Sequence, residues 1–585
     1  IEMKKRSTVN VEFVVKMPDG FTTDLPLKLA TNLYSLGYPE ADLISGSNTI
    51  SSDLPVFTKT SDNEYTLSLS LPAGTDLRYK FTLGDGFWNS ELTSNGGFVT
   101  RELVVPSEDT TIKKKVETFT SPNIGAISIN VAVPQTTPGN ETVSIQLNSF
   151  GWMQPLPMRR IGENQWSYTL YSPTHMVSNI EYRFCRNDQC DVAISKPGET
   201  GTITTSNMPQ TLTMSFENWQ YLSVSTGTTN VDTNAGALQP RTDFITGFEL
   251  ISDFPASWKT SVDQGLVSAA SIGASWVIVS PTWTMTSTNP PLLEPLPGTD
   301  LLWPDLQLLI ANISSNNLQP VLFPRISNSS EIDSFWINGK KDGGWWQTIF
   351  ERYQRFMLQN ADLAQSLNAS ALIVGDPAMK PSMGNGILST GESSNAPENA
   401  DEQWSQLVSD IRARYSGPII GVISLPDQNN GTYPEWLKNV DAIYVLFSPS
   451  LSASGDQSVQ SMVSVFDSAL DTYIQPLSAQ FGKPIVIGID YPSNPTALNG
   501  CTAVNGSCLS NENVDYSGQS VDLDLQAKIY NAAVISCARR TWLNGFVSRG
   551  YDPLVVLKDQ SSSVYGKPAS DVLWFWFHYI LNISI

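Results

Sequence analysis

The sequence predicts a multidomain protein in which two antiparallel β-sandwiches precede an α/β domain with the (β/α)8 TIM-barrel architecture. From residue 7 to about 220, short alternating strands are separated by Pro, Gly, Asn and Asp turns, with almost no helical periodicity. A Ser-, Thr-, Gly- and Asn-rich stretch without periodicity follows. After it, near-continuous apolar strands alternate with amphipathic helices eight times. We therefore expect sandwiches at 1–120 and 121–222, a linker at 223–240 and a barrel at 241–585.

The two sandwiches are predicted from a repeated order of strands. The segments EYTLSLSLPAGTDLRYKFTLGDGFWNSE and QWSYTLYSPTHMVSNIEYRFCRNDQCDVA each contain a strand, a turn, a second strand and a polar tip. Recurrence of this scheme favours tandem modules with a boundary near residue 121.

The barrel is predicted from eight apolar strand candidates separated by helices such as DEQWSQLVSDIRARY. The candidates are 244–250, 275–281, 319–325, 369–376, 418–425, 442–448, 484–491 and 544–551. Near-continuous apolar strands are typical of a buried parallel sheet, and eight of them over about 340 residues fit a closed barrel.

Composition excludes several kinds of chemistry. The only histidines are His175 and His578, so neither a Ser-His-Asp or Cys-His centre nor a multi-histidine zinc site can form within one predicted domain. Carboxylates, Tyr, Lys and Arg remain for catalysis. The 56 acidic and 35 basic residues give a net charge of −21, which would repel nucleic acid. No metal site or cofactor is predicted.

The cysteines favour an extracellular or cell-surface location. Cys185 and Cys190 flank RNDQ, and Cys501 and Cys508 flank TAVNGS, in polar segments that we expect to be closed by short-loop disulfides. Cys537 lies in the apolar stretch AAVISCARR and is expected to be a buried thiol. No apolar run reaches about 20 residues, so we expect a soluble chain.

Candidate functional residues follow from the barrel itself, because the active sites of such barrels lie at the carboxyl ends of the strands. The residues at or just after those ends, in strand order, are Glu249, Asp253, Trp283, Arg325, Asp376, Asp427, Ser448, Asp490, Arg549 and Tyr551. Hydrolysis of a glycosidic bond needs two carboxyl groups, one to protonate the leaving oxygen and one to attack or to activate water.

Several barrel segments resemble the (β/α)8 glycoside hydrolases of the mannanase-like branch. They include GASWVIVSPTW, WWQTIFERYQRFMLQNADLAQSLNASALIVGD, FGKPIVIGIDYPS and WLNGFVSRGYDPLVVLKDQSSSVYGKPASDVLWFWF. The resemblance implies that Asp376 is the acid/base and Asp490 the nucleophile. These hydrolases characteristically carry Glu at both places, and Asp is shorter by one methylene, about 1.5 Å. The residues expected to bind substrate are Glu249, Trp283, Arg325, Trp346, Arg549 and Tyr551.

Both aspartates also have a structural interpretation. Asp376 precedes Pro377, a common turn sequence, and can cap the following segment or bind a cation. Asp490 interrupts an apolar strand, and a buried charge needs a partner such as Arg325 or Arg549.

The N-terminal region resembles starch-binding-like sandwich modules, through LATNLYSLGYPEADL and the strand that contains YKF. The resemblance implies that exposed aromatic side chains stack on sugar rings, with Trp88 and Trp152 as the candidates. Packing of these rings inside the sandwich is the alternative.

Two functions fit the sequence. The first is an extracellular or cell-surface glycoside hydrolase that acts on a polysaccharide or oligosaccharide, with sandwiches that bind or present glycan. The alternative is a catalytically degenerate glycan-binding or structural protein of an S-layer, sheath or filament, with self-assembly contacts. A salt-bridged Asp490 or a filled barrel mouth would favour the alternative. The sequence does not give the oligomeric state.

Overall fold

The computed structural model describes the chain in three groups of elements. It covers every residue except 1–6, 38–52, 87–88, 121–124, 138–140, 150, 154, 172–176, 191–199, 207, 220–229, 235–236, 253, 255–257, 297–299, 328–331, 426–432, 455, 501–519, 555–559 and 585.

The first group is a sandwich whose strands are antiparallel except for the parallel pair β1 and β8. Its strands are β1 (Thr8–Lys16), β2 (Lys28–Thr31), β3 (Thr58–Ser61), β4 (Glu64–Pro72), β5 (Asp76–Thr82), β6 (Glu91–Leu92), β7 (Arg101–Val104), β8 (Thr110–Lys115) and β9 (Thr118–Phe119). One sheet has the order β3-β4-β1-β8 and faces a second of order β2-β5-β7. The sequence of β1 alternates, so Val11, Phe13 and Val15 enter the core while their neighbours face outward.

The second sandwich repeats the topology of the first. Its strands are β10 (Ala126–Ala132), β11 (Val143–Asn148), β12 (Leu156–Pro157), β13 (Arg159–Gly162), β14 (Gln165–Tyr171), β15 (Asn179–Arg186), β16 (Gly201–Thr204) and β17 (Gln210–Ser215). The order β13-β14-β10-β17 matches β3-β4-β1-β8. The parallel pair β10 and β17 corresponds to the parallel pair β1 and β8. The predicted repeat is therefore visible in the topology. Cys185 and Cys190 form the predicted disulfide, whereas Cys501 and Cys508 lie outside the described residues.

The third group is the predicted closed barrel. Its parallel strands are β18 (Ile245–Leu250), β19 (Trp276–Val279), β22 (Gln319–Leu322), β24 (Ala371–Val374), β25 (Ile419–Leu425), β26 (Ala442–Phe447), β27 (Ile485–Ile489) and β28 (Gly545–Tyr551). A small sheet of β20 (Thr282–Thr288), β21 (Pro291–Glu294) and β23 (Arg325–Ser327) extends from the ends of the second and third barrel strands. Every predicted barrel strand is confirmed to within a few residues.

Helices surround the barrel. They are α1 (Trp258–Ile272), α2 (Trp303–Ser315), α3 (Ile332–Asn338), α4 (Gly343–Ser366), α5 (Ala400–Arg412), α6 (Val459–Ala469), α7 (Gln475–Phe481), α8 (Leu523–Ala538) and α9 (Pro568–Leu581). Helix α4 begins where the Asp342 carboxylate accepts a hydrogen bond from the Trp345 amide, as expected for an N-cap. Cys537 is buried in α8, as predicted. No helix among the described residues has the length and apolar character needed to cross a membrane.

Strand alternation divides the barrel residues between two cores. In β24, Ile373 belongs to the cluster inside the barrel, whereas Leu372 and Val374 belong to the cluster between the sheet and the helices. Both clusters are apolar, which explains why the strands are nearly continuous apolar runs. The same alternation continues to the ends of the strands, where it determines which side chains point into the barrel.

The first sandwich is fixed to the barrel by a buried carboxylate. Asp305, in the first turn of α2, accepts hydrogen bonds from the amides of Tyr34 (2.8 Å) and Ser35 (2.9 Å), in a 3-10 turn of the sandwich. The Tyr34 hydroxyl in turn accepts a hydrogen bond from the Lys259 amide at 3.1 Å, and its ring contacts Trp258 edge-on. The domain contact is therefore polar at its centre and aromatic beside it.

Part of the predicted linker lies against the barrel. Val231 and Leu238 pack on the outer barrel core, and the Leu238 carbonyl accepts a hydrogen bond from the Tyr579 hydroxyl at 3.1 Å. The segment is thus packed against the barrel at Val231 and Leu238 rather than free there, because these two apolar side chains contact the outer core.

Replacing Asp305 by Ala should loosen the first sandwich from the barrel. The buried Tyr34 amide and the partly buried Ser35 amide would lose their acceptor, at a cost of about 2–4 kcal/mol. We expect D305A to show an earlier thermal transition in calorimetry and faster proteolysis between the domains. D263A, at an exposed aspartate, is the control; equal stability of the two variants would contradict this docking role.

Candidate active site

Side chains inside the barrel change from apolar to polar toward the carboxyl ends of the strands. The apolar interior cluster includes Ile278, Phe323, Leu446 and Val547. The residue two positions after each of these points to the same side of the sheet, and these residues are Ser280, Arg325, Ser448 and Arg549. The same alternation points Glu249, in β18, and Asp490, just after β27, into the barrel. We call Glu249, Arg325, Ser448, Asp490 and Arg549 the polar ring.

Arg549 joins the two carboxylates of the polar ring. Its Nε and Nη2 donate to the two oxygens of Glu249 at 2.8 and 3.1 Å, and its Nη1 donates to Asp490 Oδ2 at 3.1 Å. Asp490 Oδ1 accepts a hydrogen bond from the Ser448 hydroxyl at 2.5 Å. Arg549 is fully buried and the two carboxylates are almost so, at 2% and 1% exposed. Asp490 is therefore salt-bridged, and Arg549 is its partner.

Arg325 completes the charges of the ring. Its Nη1 lies 3.9 Å from Glu249 Oε1, a longer contact than those of Arg549, and its Nε has no hydrogen-bond partner among the described residues. With Glu249 and Asp490 ionised, the two carboxylates balance the two guanidinium groups. This balance is what allows charges to stay in a buried position.

The surroundings in the polar ring shift the pKa values of Asp490 and Glu249 in opposite directions. Burial raises the pKa of Asp490 to about 6, with a smaller rise from Glu249, against the lowering effects of Arg549 and Ser448. Burial acts in the same direction on Glu249, but Arg549, Arg325 and the Tyr444 hydroxyl lower its pKa below the ordinary value. Glu249 is thus the more firmly ionised carboxylate.

A glycine on β27 makes room for a tyrosine that supports the ring. The Tyr444 hydroxyl donates to Glu249 Oε2 at 2.7 Å. A Cβ atom on Gly488 would lie closer to that hydroxyl than any real contact allows. Only glycine at 488 leaves the space that the Tyr444 ring fills. Sequence reasoning missed Tyr444, although a glycine inside an apolar strand is a signal of close approach.

Asp376 lies apart from the ring and caps the turn after β24. Its Oδ1 accepts a hydrogen bond from the Ala378 amide at 2.8 Å, and its Oδ2 accepts one from the Ile326 amide at 2.6 Å. The side chain is 1% exposed. The capping interpretation of Asp376 thus describes its contacts, while its catalytic role stays a prediction.

Asp376 also lies in the wall of a pocket of about 870 Å3 at the carboxyl ends of β24 and β25. Helix α3, the segment 383–389 and the turn 433–435 form the other walls. Four carboxylates belong to the lining, and sequence reasoning named only one of them: Asp333, Asp376, Asp401 and Glu435. The others come from loops and helix starts, where no spacing rule identifies them in advance.

Three aromatic predictions have different outcomes. Tyr551 is fully buried against Phe248 and donates to the Gly265 carbonyl on the helix side of the sheet; this placement gives its predicted substrate contact no support, and that contact stays a prediction. Trp346 is likewise 3% exposed and packed among aromatic rings in the outer core. Trp283 is partly exposed and its ring contacts that of Phe356 at a tilt, so its role stays a prediction.

The sandwich candidates differ as well. Trp88 lies outside the described residues. Trp152 is 39% exposed, and the Arg183 guanidinium lies 4.4 Å from its ring centre. Arg183 donates to Gln146 at 2.6 Å, and Gln146 in turn donates to the Met153 carbonyl at 2.6 Å, so the guanidinium over the ring and the backbone next to Trp152 are both linked to β11. One predicted aromatic is thus a supported surface ring rather than a core residue.

Among the described residues, no group of three or more His, Cys, Asp or Glu side chains is arranged to hold a metal ion. The carboxylates of the polar ring are held by arginine instead.

Replacing Asp490 by Asn should change how stability depends on pH. Because the pKa of Asp490 is raised to about 6 by folding, the folded chain binds more protons than the unfolded chain between about pH 4 and 6, and its stability from this group falls as pH rises. D490N removes that loss. Relative to the unmodified chain, D490N should therefore gain about 2–3 kcal/mol between pH 4 and pH 7.

Denaturant unfolding followed by barrel tryptophan fluorescence at both pH values measures this gain. D263N, at an exposed site, controls for the loss of one charge. A stability difference between D490N and the unmodified chain that stays constant across this range would contradict the raised pKa.

Comparison with known proteins connects this barrel to one family. Residues 304–563 match the model of Glycoside Hydrolase Family 113, a range that includes both Asp376 and Asp490. No curated protein sequence matches the chain.

Solved structures similar to the chain include a complex of a family 113 β-1,4-mannanase, with 18% identity over 57% of this chain and 99% of that one (TM-score 0.45). Another is the family 113 β-mannanase AaManA from Alicyclobacillus acidocaldarius in complex with ManMIm, with 17% identity over 58% and 98% (TM-score 0.42). A β-glucuronidase from Ruminococcus gnavus in complex with D-glucaro-d-lactam covers 97% of this chain and 87% of its own, at 7% identity (TM-score 0.38). The predicted resemblance to glycoside hydrolase barrels is confirmed by this match, in which residues 304–563 of the chain are similar to Glycoside Hydrolase Family 113.

Proposed function

We propose that this chain is a glycoside hydrolase that acts on a polysaccharide or oligosaccharide outside the cell or at its surface. The observation that carries the proposal is the family 113 match across the part of the barrel that contains both predicted catalytic carboxylates. The pocket at the ends of β24 and β25, with Asp376 in its wall, supports it. β-1,4-Mannan, the polymer after which the similar β-1,4-mannanases are named, is the first substrate to test.

In this proposal the two aspartates divide the chemistry. Asp376 gives a proton to the glycosidic oxygen of the leaving group, and Asp490 attacks the sugar or activates water. Ser448 and Arg549 hold the Asp490 carboxylate in one orientation, and Glu249 shares the charge of Arg549. A nucleophile or base must be ionised, so this role requires a pH above the raised pKa of Asp490.

The second sandwich supplies the glycan-binding part of the proposal. The Trp152 ring offers one apolar face while Arg183 supports the other, an arrangement that suits the C–H edge of a sugar ring. The Cys185–Cys190 disulfide supports an oxidising, extracytoplasmic location.

A second candidate function rests on a specific observation. The carboxylate oxygens of Asp376 and Asp490 already accept hydrogen bonds from the protein, and Asp490 is in a salt bridge. A salt-bridged Asp490 favours a barrel that binds glycan without cleaving it. In that case the polar ring stabilises the fold and the pocket holds the ligand.

Turnover distinguishes the two functions. If the chain is a hydrolase, it should release reducing sugars from one member of a panel of mannans, glucans and xylans, and D490N should lower kcat by about 1,000-fold or more. D376N should lower it as well. The D263N control should keep full activity. Glycan binding by the intact chain without any sugar release would instead establish the second candidate.

The acidic limb of the pH profile should report Asp490. We expect kcat/KM to rise with pH through about 6, since the carboxylate must lose its proton. S448A should move this limb to higher pH, because the Ser448 hydroxyl donates to Asp490 and lowers its pKa. A limb that S448A leaves in place would exclude Asp490 as the titrating group.

Trp152 should contribute to polysaccharide binding. W152A is expected to weaken binding of an insoluble or polymeric substrate by about 3- to 10-fold, while W152F should keep most of the affinity. M208A, at a 71% exposed side chain of the same sandwich, is the matched control. Affinity electrophoresis measures all three, and equal mobility of W152A and M208A would remove Trp152 from the binding surface.

A further inference from the structure

The pocket beside Asp376 has an apolar interior and a polar rim. The buried part of its wall includes Trp336, Met383, Leu388 and Ile423. The exposed part contains the carboxylates of Asp333 and Glu435 and the polar residues Asn385 and Ser389. Apart from the carboxylate of Asp376, these buried side chains of the wall are therefore mainly apolar, and the carboxylates of Asp333 and Glu435 face water.

Polar atoms in the buried wall are already occupied by the protein. Trp336 Nε1 donates to the Ala378 carbonyl at 2.7 Å, and the Tyr433 hydroxyl donates to the Tyr473 carbonyl at 3.1 Å. Both oxygens of Asp376 accept backbone amides. A sugar ring placed in this part of the pocket would bury hydroxyls with few partners, and each unpaired buried hydroxyl weakens binding.

From these contacts we infer that the pocket binds an apolar group carried by the glycoside, on the leaving-group side of the bond. This inference rests on the proposed function, in which Asp376 protonates the leaving oxygen. Because Asp376 lines the pocket, the pocket binds the part of the substrate that is attached to that oxygen. The ligand chemistry is a short hydrocarbon chain. Its source is an alkyl aglycone or an acyl ester on a neighbouring sugar, and the volume of about 870 Å3 accommodates either together with the sugar that carries it.

Two aliphatic residues of the pocket wall allow a direct test. Leu425, at the end of β25, and Ile387, in the segment after β24, line the pocket and are partly exposed rather than part of the closed core. Replacing either by Ser lowers the apolar area of the pocket without opening a cavity in the barrel. Leu308 on α2 is 56% exposed outside the pocket, and L308S is therefore the matched control.

The experiment is calorimetric titration of the full chain with methyl, butyl and hexyl β-mannosides, below the concentrations at which they form micelles. Affinity should rise about threefold for each added methylene that enters the pocket. L425S and I387S should weaken hexyl binding by about tenfold and leave methyl binding unchanged, and L308S should change neither. Methyl β-mannoside esterified with butyrate is the acyl arm, and whichever arm shows the larger gain identifies the source.

Affinity that does not depend on chain length would overturn the inference, as would a loss in L308S equal to that in L425S. Circular dichroism of both pocket variants excludes unfolding as the cause of a loss, and agreement between the two variants is required. Binding is measured without turnover. If the chain releases sugar from mannan but its affinity for alkyl mannosides does not depend on the length of the alkyl chain, only the inference about the pocket is overturned. Chain-length dependence in a chain that cleaves nothing would overturn only the hydrolase.

Discussion

The burial of Arg549 is the constraint on which the rest of the barrel mouth depends. A fully desolvated guanidinium is tolerated only when its donors are paired, and here Glu249 and Asp490 accept them from the two strands that flank β28. The same two carboxylates also accept hydrogen bonds from Ser448 and Tyr444. Ser448, after strand β26, donates to the Asp490 oxygen that Arg549 does not contact. Tyr444, on β26, donates to Glu249 Oε2, which also accepts from Arg549 Nε. The charges, the tyrosine and the glycine opposite it therefore form one unit.

The fold was predictable because its signals are local and repeated. Eight apolar strands separated by amphipathic helices define a barrel without knowledge of any long-range contact, and the repeated strand order of the sandwiches appears again in their sheets. The contacts between domains were not predictable in this way. Asp305 meets two amides about 270 residues earlier in the chain, and nothing in the sequence near Asp305 or Tyr34 indicates the pairing.

The site was predictable only in part, and the reason is strand geometry. The rule that function lies at strand ends selected Glu249, Asp490 and Arg549, which the structure brings together. The same rule selected Tyr551, yet β28 has an irregular register after Arg549, and Tyr551 turns to the helix side. A single shifted residue reverses the face, so a strand-end position alone does not fix the direction of a side chain. The pocket was beyond prediction because its walls come from loops far apart in the sequence.

The ring and the pocket make different demands on the residues between them. In the ring, each charge is balanced by another charge of the protein. The ring therefore fixes the orientation and the pKa of its carboxyl groups but offers a ligand few vacant donors. Arg325 is the exception, because its contact to Glu249 is long and its Nε has no hydrogen-bond partner among the described residues. In the pocket, the polar atoms of the buried wall are satisfied from behind, so the surface offered to a ligand is apolar. Selectivity then comes from the shape and apolar area of the pocket, while charge comes from the ring. Asp376 stands in the pocket wall rather than in the ring, so any proton it transfers must pass on the pocket side of the bond. A substrate that suits both parts is a sugar at the ring with an apolar group beyond its leaving oxygen.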